Sequence, residues 1–147
     1  MLTNLNNEKV NSQIFRNFDV AIVGAGAAGI TLTKELSSLG KNVALIEAGD
    51  YEYTDESQEI YIAKTKGDHY FDLDVARLRY FGGTTNHWNG WCRSFEEEDF
   101  KRGYLGEEYR WPITLRDIDP FKEKACNILE VPTSFKDSYL ENSKIEK

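Results

Sequence analysis

Residues 18–50 read FDVAIVGAGAAGITLTKELSSLGKNVALIEAGD, and this stretch decides the fold. Residues 18–23 end in the apolar run Val20, Ala21, Ile22 and Val23, which predicts a strand buried on both faces of a parallel sheet. From Ala27 to Leu39 the apolar residues Ile30, Leu32, Leu36 and Leu39 recur at helical spacing, and Gly40 supplies a stop. Residues 42–47, with Val43, Leu45 and Ile46, predict a second buried strand. Strand, helix and strand in that order make one βαβ unit, so the fold class is α/β and Rossmann-like.

Between the first strand and the helix, Gly24, Gly26 and Gly29 form the G-x-G-x-x-G pattern. A glycine triplet alone is weak evidence, but here it directly follows a strand and opens a helix. The amides of that turn, including those of Ala27 and Ala28, then converge with the positive helix end on one spot suited to a pyrophosphate. Gly24 permits the tight turn, Gly26 removes a side chain that would block the phosphates, and Gly29 lets the helix pack closely. Glu47, followed by Ala48, ends the second strand where a carboxylate can accept the hydroxyl hydrogens of an adenosine ribose. A 2'-phosphate would be repelled there, which disfavours NADP and leaves FAD or NAD. Thr33 stands where Gly or Ala is common in this fingerprint, predicting a slightly wider gap between helix and sheet.

Outward from this unit the pattern is less regular. Residues 1–17 are polar and without period, which predicts a flexible leader. Residues 50–75 mix aromatic and acidic residues and predict a long excursion with a short helix near 57–64. Residues 77–81 lead into a second glycine turn, GGTTNHWNG at 82–90. Ser94 and Glu97 have capping-box spacing for a short helix through Phe100, and Thr114 and Asp117 have the same spacing. Asp119 before Pro120 predicts a helix start, with Phe121, Ala125, Ile128 and Leu129 on its apolar face and an end before Val131 and Pro132. The residues from 133 onward are polar.

The chain has 147 residues, the size of one ordinary domain, and a net charge of -7 without any cluster of Lys and Arg. That balance excludes a nucleic-acid partner held by its phosphates. Cys92 and Cys126 have no CxxC spacing, so neither a zinc site nor a disulfide framework is indicated and both thiols are expected reduced. The polar start and the lack of a long apolar run predict a cytoplasmic chain with no membrane span.

Three segments together resemble the glucose-methanol-choline oxidoreductases. They are FDVAIVGAGAAGITLTKELSSLGKNVALIEAGD at 18–50, RLRYFGGTTNHWNGWCRSFEEEDF at 77–100 and WPITLRDIDPFKEKACNILEVP at 111–132, and they cover about half of the chain. The resemblance implies FAD and the oxidation of CH-OH groups of alcohols or sugars by hydride transfer to flavin. It also implies that 18–147 is the N-terminal, incomplete part of the FAD-binding domain of a larger two-domain flavoprotein. Arg79 before Gly82, Gly83, Thr84 and Thr85 looks like the signature that runs beside the isoalloxazine ring. Paired glycines let main chain approach a flat ring, and the threonine hydroxyls can donate to its polar edge. His87 stands where choline oxidase-like and pyranose oxidase-like members carry a histidine bonded to FAD, and His87-Trp88 matches the pyranose oxidase-like branch. Aromatic residues Tyr80, Phe81, Trp88 and Trp91 are candidates for stacking near the ring.

The family's catalytic base is a histidine near the C-terminus. His69 and His87 are the histidines of this chain and neither has that context, so no base is assigned and a missing C-terminal segment is the expected partner. A sheet lacking its late strands also predicts an open edge and weak flavin retention in isolation. Two other readings stay open at this point: a non-catalytic module that binds FAD or its ADP half, and an NAD-linked Rossmann protein.

Overall fold

The computed structural model describes residues 3–5, 17–101 and 106–133. Most of the expected leader, residues 102–105 of the loop after Phe100, and the polar stretch beyond residue 133 lie outside the described residues. The chain divides into two compact units, residues 1–91 and 92–147.

In the first unit, strand β1 (Val20–Val23) pairs in parallel with β2 (Val43–Ile46), joined by helix α1 (Ala27–Ser38). The register runs from Val20 opposite Val43 to Val23 opposite Ile46. Main-chain bonds extend the pairing at both ends: Asp19 N-H donates to Asn42 O at 2.8 Å, and Gly24 N-H donates to Ile46 O at 2.7 Å. The β-branched and apolar residues favour the extended chain, and Leu39 and Gly40 end α1 by donating to the carbonyls of its last turn. The expected βαβ order is present, each strand coinciding with its apolar run and shorter than the expected segments 18–23 and 42–47.

The expectation that β1 is buried on both faces is overturned. Ile22 is buried at 8% exposure, whereas Val23 is 82% exposed. Helix α1 packs against both strands, and one helix covers one side of a two-stranded sheet, so the burial alternates with the pleat. The Thr33 hydroxyl donates to the Gly29 carbonyl one turn back at 2.7 Å.

Residues 50–75 hold a short helical run and then, from 62 to 72, a stretch with no helix or strand, as the expected excursion requires. Thr54 caps helix α2 (Asp55–Gln58), its hydroxyl accepting the Ser57 amide at 3.2 Å, and a 3₁₀ turn follows over Glu59–Tyr61. This helical run lies earlier than the expected 57–64, because the cap fixes its start. A further short helix, α3 (Leu73–Ala76), had no periodic signal.

In the second unit, helix α4 (Glu97–Phe100) opens with a capping box between Glu96 and Asp99 rather than Ser94 and Glu97. Glutamate at the cap and aspartate three residues on satisfy each other's amides as well as the expected pair would. Thr114 and Asp117 do form the box that opens α5 (Leu115–Ile118). Asp119 is not the expected N-cap but the first residue of a 3₁₀ turn, Asp119–Phe121, which carries the chain from α5 into α6 (Lys122–Leu129). Glu130, at a left-handed φ of 55°, ends it. The expected apolar face of α6 is overturned: Cys126 is buried at 5% exposure, whereas Phe121, Ala125, Ile128 and Leu129 are all exposed. Cys92 and Cys126 are both free thiols. Among the described residues no helix is long and apolar enough to cross a membrane.

Candidate functional site

The site is built on the turn between β1 and α1. Ala25, fully buried, sits at its centre. Its amide donates to Glu47 Oε2 at 2.7 Å, and its carbonyl accepts the amide of Gly82 at 2.8 Å. Glu47 Oε1 also accepts the Gly49 amide at 2.8 Å. The carboxylate at the end of β2 therefore holds the glycine turn on one side and its own chain on the other. Each carboxylate oxygen keeps a second lone pair for a further donor.

Gly26 is the N-cap of α1, which has no side-chain cap and no acidic residue in its first turn. A Cβ built on Gly26 would meet nothing within 4 Å. An uncapped helix end beside open space suits an anion, as unpaired amides and the helix dipole both favour negative charge there. At Gly29 the situation is the reverse: a Cβ would overlap the Gly24 carbonyl oxygen, so helix and strand approach too closely for any side chain.

The second glycine turn docks on the first. Besides the bond from Gly82 to Ala25, Gly26 and Gly82 form a parallel bridge, as do Asp50 and Tyr80. Phe81 N-H donates to Asp50 O at 3.0 Å. Gly82 has φ 91°, a left-handed conformation that turns the chain at the contact. A 3₁₀ turn over Gly83–His87 follows. The two sequence motifs thus form one surface in the folded chain.

The side chains of the second turn are committed as follows. Thr84 Oγ1 accepts the Leu78 amide at 3.2 Å, and the Thr85 hydroxyl donates to Gly82 O. Arg79 directs Nη1 to the Ser57 hydroxyl at 2.9 Å. His87 is exposed at the end of its 3₁₀ turn. Ala27, Ala28 and Ala48 are exposed beside the first turn. Of the candidate aromatic residues, Phe81 stacks on Tyr51 with centroids 5.3 Å apart, and Tyr80 meets Tyr53 edge-on at 6.0 Å. Trp91 is 90% exposed.

Four residues of this arrangement escaped sequence reasoning. Ala25 has no distinguishing side chain, and its role is carried by main-chain groups. Gly49 lies under the second turn, where a Cβ would overlap the Arg79 carbonyl. Its signal was a glycine two residues after the acidic end of a strand. Ser57 and Gln58, buried at 9% and 5%, hold the segment that leads to Gly82, and nothing local marks them.

A family model described as "FAD binding domain" matches residues 17–60, which hold β1, α1, β2 and Glu47. A curated relative, 6'''-hydroxyparomomycin C oxidase of Streptomyces lividus, is 28% identical over 120 residues, covering 74% of this chain. The chain spans 22% of that relative's length. No solved structure matches it. The choice between FAD and NAD left open by the glycine turn is decided by the family match, and the chain carries a small parallel α/β unit whose cofactor is FAD.

Proposed function

We propose that this chain is the FAD-binding, Rossmann-like part of a flavin-dependent oxidoreductase that oxidises CH-OH groups of alcohols or sugars, in the manner of the glucose-methanol-choline enzymes. The observation that carries the reading is the bond from Gly82 N-H to Ala25 O. It joins a phosphate-type glycine turn to a second glycine turn, and a dinucleotide that reaches from one to the other meets both. The name of the curated relative, an oxidase of a hydroxylated compound, supports the substrate class.

In this reading the amides of residues 26–29 hold the pyrophosphate, those of Gly24 and Ala25 being bonded to Ile46 O and Glu47 Oε2, and Glu47 uses its remaining lone pairs for the ribose hydroxyls. Gly82, Gly83, Thr84 and Thr85 lie along the ring, with Arg79 anchoring the approach. Bound flavin supplies a hydride acceptor. No residue of this chain is assigned as the base that takes the hydroxyl proton, since neither His69 nor His87 stands in the family's C-terminal context. Covalent attachment through His87 belongs to the same proposal.

Titration of the purified chain with FAD and with NAD, followed by flavin fluorescence and calorimetry, tests the reading. Saturable FAD binding with no NAD uptake is expected. Addition of the downstream part of the parent protein should then confer reduction of the flavin by an alcohol or sugar. If FAD binds and no such reduction follows, the chain is a non-catalytic FAD-binding module.

A further inference from the structure

Ser57 and Gln58 are buried polar residues outside every motif. The Gln58 amide Nε2 donates to the carbonyls of Asp74 at 2.6 Å and of Arg77, while its Oε1 accepts the Arg79 amide at 3.1 Å. One orientation of the amide satisfies all three, since two carbonyls need a donor and one amide needs an acceptor. The Ser57 hydroxyl donates to Arg79 O at 2.8 Å and accepts Arg79 Nη1 at 2.9 Å. Helix α2 therefore grips the chain over residues 74–79 from one side.

That chain runs directly into the second glycine turn. Three contacts fix where it emerges: the close passage over Gly49, Phe81 N-H to Asp50 O, and Gly82 N-H to Ala25 O. The last of these, with the Gly26–Gly82 bridge, docks the second turn on the phosphate turn through main-chain groups, whereas Ser57 and Gln58 bond only the chain leading up to it. We propose that Ser57 and Gln58 are positioning residues that set the second glycine turn against the flavin ring, and so control binding of the isoalloxazine half of FAD more than that of its ADP half. The inference rests on the reading of that turn as the ring's neighbour. It accounts for a buried serine and glutamine at the end of the short helix α2, where unpaired polar groups would be costly and paired ones specify a single geometry.

The test uses the full chain and two probes, FAD and ADP, with dissociation constants from calorimetry and the visible spectrum of bound flavin. Gln58→Glu is near in size but sets an acceptor against two carbonyls. It should weaken FAD binding by about tenfold or more, leave ADP binding within about twofold, and shift or broaden the flavin bands. Ser57→Ala should move the same readouts in the same direction by less, and Ser57→Thr, which keeps the hydroxyl, should restore them. The Ser57 pair carries the test if Gln58→Glu fails to fold. Equal losses for FAD and ADP, or unchanged FAD affinity and spectrum in Ser57→Ala, overturn the positioning role. A parent chain that takes up ADP but not FAD, or neither, overturns instead the cofactor reading on which it rests.

Discussion

The carboxylate of Glu47 accepts the amide hydrogen of Ala25 across 2.7 Å, linking the end of β2 to the centre of the glycine turn. Hydrogen bonds to a charged acceptor are worth about 1.5–3 kcal/mol each when the donor is otherwise left unpaired. Glu47→Ala should therefore loosen the turn and remove the ribose acceptor together, weakening FAD binding by about tenfold to a hundredfold. Fluorescence titration with FAD measures this, and unaltered affinity would remove Glu47 from the site.

Gly26 and Gly29 should separate binding from folding. A methyl group on Gly26 enters open space with φ at -80°, so Gly26→Ala should change stability by no more than about 1 kcal/mol while abolishing FAD uptake. A methyl on Gly29 overlaps main chain, so Gly29→Ala should cost roughly 1–3 kcal/mol and lower the melting temperature by several degrees. A Gly26→Ala chain that still binds FAD at parental affinity would place the pyrophosphate elsewhere.

His87 lies exposed at the end of the 3₁₀ turn that follows Gly82. If this segment carries covalent flavin, acid precipitation of the complete enzyme leaves yellow colour on the protein, and His87→Ala releases it to the supernatant. Colour wholly in the supernatant of the parent protein would reject the linkage and leave the non-covalent site intact.

In the second unit, the backbone amide of Thr114 and then its hydroxyl, both donating to Asp117, hold that carboxyl below its ordinary value. A depressed folded-state value means the capping box stabilises α5 above the ordinary carboxylate pKa of about 3.9 and loses that contribution as pH falls through the lower folded value. An NMR titration should place the Asp117 midpoint below that of a free aspartate. Thr114→Ala should raise it part of the way, because the amide remains. A midpoint unmoved by Thr114→Ala would show that the hydroxyl adds nothing.

The βαβ unit was legible because its signals are local: the apolar runs, the glycine spacing and the acidic strand end all lie within residues 18–50. The same held for the Thr114 box, whose partners are three residues apart. Where two neighbouring pairs were chemically able to cap, as at Ser94 and Glu96, spacing alone did not choose between them. Burial was misread on β1 because an apolar run looks the same whether one face or both are covered, and here Val23 is exposed.

Residue order alone carries the glycine turn, its acidic partner and the existence of a second glycine turn, because each depends on backbone freedom and charge within a few positions. That Ala25 meets Gly82, that Gly49 yields room to Arg79, and that Ser57 and Gln58 grip the strip between them follow only once the chain has folded. Those partners are far apart in sequence, and the hydrogen bonds that join them are made largely by main-chain groups, which every residue type carries alike.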